Sequence, residues 1–272
     1  MSADAPIGVF DSGIGGLTVV RAIHALLPHE STLYLGDTAR VPYGSKSPAT
    51  VRRYALEILA WLEERGVKAV VVACNTATAH ALEELRAVAR VPVIGVIEPG
   101  ARAAAAVSRG GAVGVIGTAG TIASGAYGRA LRRIRPELQV VEQACPLFVP
   151  LVEEGWFEHP ATRLVAEEYL EPLRQAGVDT VVLGCTHYPM LSELIGKVLG
   201  PGVTRIDSAQ ETARELAQVL AAQGLEAPAG TPVRHRWAAT DDVARFARVG
   251  TLFVGEPLPE IELAQLGSER LS

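Results

Sequence analysis

Residues 67–80 read Val67-Lys-Ala-Val-Val-Val-Ala-Cys-Asn-Thr-Ala-Thr-Ala-His80. Val67 to Val72 is mostly β-branched and carries one charge, the composition of a short strand buried on both faces. Ala73 to Thr76 are small or polar, and Ala77 to Arg90 have the pattern of a helix. Cys74 therefore falls where a strand ends and a helix begins. In an open α/β sheet that edge is where ligands bind. A thiol placed there also sees the positive end of the helix dipole, which favours the thiolate.

The same unit recurs as Val178-Asp-Thr-Val-Val-Leu-Gly-Cys-Thr-His-Tyr-Pro-Met-Leu191. A Val-rich strand again leads through a small residue to a cysteine, Cys185. Polar pairs follow both cysteines, Asn75-Thr76 and Thr186-His187. A single cysteine at a strand end is most simply a buried space-filler. Two at matched places in a repeated unit ask for a shared chemical reason. The repeat extends outward: Ile7-Gly-Val-Phe-Asp-Ser-Gly13 aligns with Val113-Gly-Val-Ile-Gly-Thr-Ala119. Ser12 falls opposite Thr118, whereas Asp11 falls opposite Gly117, so the carboxylate is not duplicated. The chain is thus an internal repeat of roughly 105 to 110 residues. The expected fold is α/β, with two similar halves built on mostly parallel sheets and two thiols facing across one cleft.

Strands are expected at Ile7 to Phe10, Thr32 to Leu35, Val91 to Val96, Ala112 to Ile116 and Thr204 to Asp207. Helices are expected over 17–27, 48–65, 101–108 and 209–223, with Glu98-Pro-Gly100 breaking the chain before the third. In the tail, Val233 to Ala238 is expected as a weak strand and Leu252 to Val254 as another. Between them Asp241-Asp242 is expected to cap a short helix. The tail is expected to return over the first domain and to carry no catalytic residue.

Composition narrows the function classes. The 272 residues are 49% hydrophobic and 20% charged, with a net charge of −5 and a pI near 5.7. This suits a globular enzyme of two domains or one large α/β domain. No basic tract points to nucleic acid. No apolar run approaches a membrane span. The first residues lack a basic region followed by an apolar segment, so a cytoplasmic location is expected. Three cysteines do not suggest a disulfide framework. Cys145 has no partner in the repeat, lies in an apolar run and reads as structural.

The glycine loop Asp11-Ser-Gly-Ile-Gly-Gly-Leu-Thr18 invites a dinucleotide reading, but Thr18 stands at the third glycine position. Asp11 would also repel a pyrophosphate. Backbone N–H groups at such a helix start suit a carboxylate, and Asp11 suits an ammonium group or, more plainly, a helix cap. A zinc site and a redox dithiol are alternatives for the cysteines, but neither local C-x-x-C spacing is present. Proton transfer at a carbon acid remains. One thiolate removes a proton from one face while the opposite thiol returns one to the other, which inverts the centre. No Schiff-base lysine is evident, since Lys46 and Lys68 read as loop or surface residues. His187 alone would be an interior histidine, and Glu153-Glu154 alone a solvated helix face. A two-lobed amino-acid-binding protein is the rival of another class.

Four stretches carry a family resemblance: Phe10-Asp-Ser-Gly-Ile-Gly-Gly-Leu-Thr-Val19, Asp37-Thr-Ala-Arg-Val-Pro-Tyr-Gly-Ser-Lys-Ser47, Ala73-Cys-Asn-Thr-Ala-Thr78 and Leu183-Gly-Cys-Thr-His-Tyr-Pro189. With them the chain, from about residue 7 to 255, resembles the cofactor-independent aspartate/glutamate racemases, and the glutamate-specific members in particular. The resemblance implies two pseudo-twofold related α/β domains, 1–98 with 207–272 and 99–206, with the active site between them. It implies no cofactor and no metal, interconversion of L- and D-glutamate, and supply of D-glutamate for peptidoglycan. It implies a small-molecule partner and a homodimer. Cys74 and Cys185 match the catalytic positions, the first acting on the D-isomer and the second on the L-isomer. Asp11 and His187 match residues that tune them, and Glu153, or its neighbour Glu154, matches a third. Ser12, Pro42, Tyr43, Gly44, Asn75, Thr76, Thr118, Thr121 and Thr186, with Asp11 and His187, make up the expected substrate-binding set. Aspartate or a hydantoin is the alternative substrate.

Overall fold

The computed structural model describes residues 2–267. In chain order it runs β1 (Ile7–Asp11), α1 (Leu17–Leu26), β2 (Thr32–Gly36), α2 (Pro48–Glu64), β3 (Ala69–Val72), α3 (Asn75–Val88), β4 (Val93–Gly95) and α4 (Ile97–Val107). Then come β5 (Ala112–Gly117), α5 (Ala119–Ser124), α6 (Ala126–Ile134), β6 (Val140–Ala144), α7 (Phe148–Glu153), α8 (Pro160–Gln175), β7 (Val178–Gly184), α9 (Ser192–Leu199) and β8 (Thr204–Ile206). The chain continues through α10 (Ser208–Gln223), β9 (His235–Ala239), α11 (Val243–Val254) and β10 (Ile261–Leu263).

The strands form two sheets. The six-stranded sheet has the order β10-β9-β2-β1-β3-β4 and the four-stranded sheet the order β6-β5-β7-β8. Every pairing is parallel. Parallel sheets are stable when helices cover both faces, so their central strands are nearly continuous apolar runs. The sequence Ala69-Val-Val-Val72 meets that demand, being fully buried along its length. On the six-stranded sheet, Val9 and Val71 point toward Leu17 and Val20 of α1 and Phe246 of α11. Phe10, Val70 and Val72 point the other way, toward Ile58 and Leu62 of α2 and Leu85 of α3. On the four-stranded sheet, Val181 and Leu183 meet Leu170 and Leu173 of α8. Val113, Val115 and Val182 meet Ala101 of α4 and Tyr127 and Leu131 of α6. One apolar cluster runs from the first of these faces into the second sheet, so the sheets share a core.

Each sheet contains the same local order. The strand ending at Asp11 lies between β2 and β3, and the strand ending at Gly117 lies between β6 and β7. In both, the chain reverses its direction of travel across the sheet at that central strand. The crevice beyond the strand ends at such a reversal is where ligands bind in this architecture. Cys74 and Cys185 lie just past the ends of β3 and β7, beside those two reversals.

Three expectations are corrected. Glu98-Pro-Gly100 does not break the chain but forms the first turn of α4. Proline is tolerated there because its missing N–H had no helical acceptor. Gly100 in addition lets α4 approach α10, where a Cβ would lie 3.1 Å from Ser208 Cβ. Leu252 to Val254 is the last turn of α11, not a strand. Its apolar residues continue the helical spacing of Phe246, Val249 and Phe253, which a three-residue window conceals. Lys68 is not a surface residue. It is fully buried and paired with Glu30 at 2.5 Å, at the end of β3 opposite Cys74. The tail returns as expected: β9 pairs with β2, and β10 with β9. Among the described residues no helix is long and apolar enough to cross a membrane.

Candidate active site

Cys74 is the N-cap of α3, and its Sγ accepts the Ala77 N–H at 3.4 Å. The helix thus begins at Asn75, directly after the cysteine, two residues before the expected start. The cysteine is buried beside Asp11, the last residue of β1. Burial pushes the Cys74 thiol up to about 12, and the charge of Asp11 adds to it. The Ala77 N–H and Ser12 act in the opposite direction. Burial likewise raises the Asp11 carboxyl, against the charge of His187 and the N–H dipoles of Gly13, Gly16 and Ser12. Gly13 N–H donates to Asp11 Oδ2 at 3.0 Å, while Oδ1 is buried without a partner. Asn75 resembles it: Oδ1 accepts from Tyr127 Oη at 2.7 Å, and Nδ2 is buried and unpartnered. An acceptor and a donor so placed are matched to a ligand that carries both an ammonium and a carboxylate.

Cys185 follows β7 and leads not into an α-helix but into a 3-10 turn, Tyr188–Leu191, with Pro189 in its first turn. Its Sγ is 3.8 Å from His187 Nδ1. His187 Nε2 is 3.1 Å from Glu153 Oε1, and Glu153 Oε2 accepts from Arg245 Nη2 at 3.0 Å. Burial opposes the imidazolium, but the bonds and charges of Cys185 and Glu153 outweigh it and lift His187 to about 10. Burial raises the Glu153 carboxyl, and the contacts with His187 and Arg245 more than reverse that, leaving it below the ordinary value. Glu153, not Glu154, faces the histidine; Glu154 is exposed at the end of α7.

The two cysteine units are clasped crosswise. Thr76, after the first cysteine, shares hydroxyl contacts of 2.9 Å with Thr118 and 3.2 Å with Thr121 of the second half. Thr118 caps α5 and lies 3.0 Å from Thr121, closing a triangle of hydroxyls. Thr186, after the second cysteine, accepts through its carbonyl from Thr18 Oγ1 of the first half at 3.2 Å. Here the approach depends on Gly15, since a Cβ would lie 2.3 Å from Thr186 Oγ1 and 2.5 Å from His187 Nδ1.

The remaining expected residues fall around this centre. Pro42 and Gly44 join Thr118 and Glu153 in the lining of a cavity of about 390 Å³, largely walled by apolar groups such as Val149 and Pro150. Tyr43 belongs to the same loop, yet its ring is buried against Tyr54 and its hydroxyl bonds to Asp37. Its side chain is thus committed to the core, and its carbonyl accepts from the Lys46 N–H at 3.0 Å. Cys145 is buried, with its Sγ donating to Gln143 O at 3.7 Å and its carbonyl accepting from Tyr188 Oη. Among the described residues no three His, Cys, Asp or Glu side chains are grouped to hold a metal ion. Arg245 and Phe253 of α11 were not expected here. The ring of Phe253 meets that of His187 edge-on at 5.4 Å. The helical spacing of Phe246, Val249 and Phe253 would have placed this helix against the core, but nothing local in the sequence points Arg245 at Glu153.

Residues 8–216 match the family described as Asp/Glu/Hydantoin racemase. The chain belongs to that family. A glutamate racemase of Geobacter metallireducens is 55% identical over 264 residues, covering 97% of this chain and 98% of its own. A glutamate racemase isoform of Bacillus anthracis is 41% identical, with a TM-score of 0.92 over 96% of this chain and 97% of that one. The structure of a glutamate racemase of Francisella tularensis in complex with D-glutamate is 37% identical, with a TM-score of 0.91 over 97% of this chain and 98% of that one. The protein is therefore an isomerase of the racemase class, and its two-sheet architecture is that of its relatives.

Proposed function

We propose that this protein interconverts L- and D-glutamate by passing the α-proton between Cys74 and Cys185. The observation that carries the reading is the crosswise pair of cysteine units, each at the strand end beside a sheet's reversal point and each clasped by the other half. In the L-to-D direction the Cys185 thiolate takes the α-proton and the Cys74 thiol delivers its own to the opposite face. The sulfurs exchange protonation states, and the reverse reaction restores them. A Cys74 thiol pushed up to about 12 is an acid in that direction. When it must serve as the base, a substrate ammonium beside Asp11 would offset the carboxylate charge that opposes the thiolate.

Asp11, with its free Oδ1, takes the ammonium, and Asn75 Nδ2 takes a carboxylate oxygen. Ser12, Thr76, Thr118, Thr121 and Thr186, with the backbone of Pro42, Tyr43 and Gly44, complete the binding set. His187 and Glu153 steady charge on the Cys185 side. The relatives named as glutamate racemases, one of them bound to D-glutamate, favour glutamate over aspartate or a hydantoin. With the expected cytoplasmic location and homodimeric state, the product would supply D-glutamate to peptidoglycan synthesis.

The test is L-glutamate with the protein in D2O, a chelator and no added cofactor. Loss of optical rotation with deuterium at the α-carbon is expected. Well-folded, reduced protein that changes neither signal would overturn the glutamate assignment.

A further inference from the structure

α11 lies late in the chain and packs on the six-stranded sheet, yet its Arg245 reaches Glu153 at the end of α7, beside the other sheet. Three contacts then run in series, from Arg245 to Glu153 at 3.0 Å, Glu153 to His187 at 3.1 Å and His187 to Cys185 at 3.8 Å. Glu153 spends one oxygen on each neighbour. It is the last residue of a six-residue helix, followed within two positions by Gly155 at φ 73°. Its side chain retains an opening to solvent. A carboxylate in that position can turn toward water, and a donor on its outer oxygen fixes which way it points. Arg245 is itself held. Asp242 caps α11 and accepts the Arg245 N–H at 2.9 Å, and Phe246 and Phe253 anchor the helix in the core.

We propose that Arg245 is a positioning residue of the reaction, holding Glu153 against His187 and so keeping the imidazole on Cys185 while α11 is seated across the cleft. The inference rests on the racemase reading. The groups that face His187 are Cys185 on its own loop, Asp11 from β1 and Glu153 from α7, with the Phe253 ring from α11 and Arg245 behind Glu153. Two effects of removing Arg245 have opposite signs. Through space alone, loss of a cation makes the imidazolium easier to keep, so the alkaline limb of activity would move up. Loss of an aimed Glu153 makes it harder to keep, so the limb moves down. The proposal commits to the second.

The full chain, Arg245→Gln, Arg245→Lys and Arg65→Gln are compared by circular dichroism with L- and D-glutamate between about pH 6 and 11. Arg65→Gln is the control, because it breaks another inter-element ion pair, with Glu262, remote from the cysteines. In R245Q, kcat/KM falls roughly 10-fold with both enantiomers, as their equal energies require, and the loss sits in kcat with KM little changed. The alkaline limb moves down by about one pH unit. R245K, which keeps the charge but not the planar fork, recovers part of both. R65Q matches wild type. Arg245 is exposed on the surface of α11, so these variants should fold; if R245Q does not, the limb of R245K decides. An active wild type beside an R245Q with unmoved kcat and limb, or with a limb that moves up, overturns this inference alone. A wild type inactive on both enantiomers overturns the racemase reading and this inference with it.

Discussion

The surroundings of Cys74 and Cys185 share a position in the fold but not a means of controlling charge. Cys74 caps a 14-residue helix and has a buried carboxylate for a neighbour. Cys185 precedes a turn and has an imidazole, backed by a carboxylate and then a guanidinium. The repeated unit brings each thiol to a strand end beside a sheet's reversal point, and the unduplicated side chains distinguish them. On the first side charge is met by N–H groups and held off by burial; on the second it is passed along a relay of side chains. In the proposed reaction, whose two ends are mirror images, a repeated fold would place the sulfurs alike while different side chains tune each one.

The largest expected effect breaks the pair outright. Cys74→Ala and Cys185→Ala should each lower racemisation by about 1000-fold or more, the scale of a lost acid–base group. Each should leave one-sided exchange: in D2O, C74A should wash deuterium into L-glutamate and C185A into D-glutamate, each with retention. NMR showing both enantiomers exchanged by either variant would remove the assignment of one face to each sulfur.

A smaller effect sharpens the contrast. Asp11→Asn and His187→Gln should each cost roughly 100-fold in kcat/KM. They should differ in their pH profiles, with H187Q removing the imidazolium's alkaline limb and D11N, which takes away one of the anions facing His187, keeping that limb but moving it down. Profiles that coincide would mean that the two residues serve one common electrostatic function.

The smallest effect is on stability. His187 is raised from 6.5 to about 10 in the folded protein. A raised pKa means that the folded state holds the proton more tightly, so its contribution is complete below 6.5 and is lost as pH rises through about 10. Wild-type Tm should decline over that interval. Calorimetry should find a shallower decline in H187Q, and parallel curves would show that the relay does not contribute to folding.

Much of this contrast was legible in the residues. Small-residue loops after Val-rich strands located Cys74, Cys185, Asp11 and Thr118, because a parallel strand buried on both faces leaves few sequences possible. What was not legible depended on long-range contact. Tyr43 reads as a cleft residue until its hydroxyl is seen to bond to Asp37. Lys68 reads as exposed until its partner Glu30, on another loop, is placed beside it. Arg245 reads as an ordinary helix-surface cation, because the carboxylate it meets lies 92 residues earlier. Glu153 and Glu154 are indistinguishable by composition, and only the turn of α7 directs one inward.

The strand order also sets a schedule for synthesis. A ribosome makes the four-stranded sheet from one uninterrupted stretch, β5 to β8, so every strand it needs is available once residue 206 has emerged. The six-stranded sheet begins earlier in the chain but is completed later, since β9 and β10 come after it all. At about 5–20 residues per second, the half begun first waits some seconds longer for its edge. The same interval passes before α11 can bring Arg245 to Glu153, so the nascent protein holds both sulfurs, His187 and Glu153 before it holds the guanidinium that ends the relay.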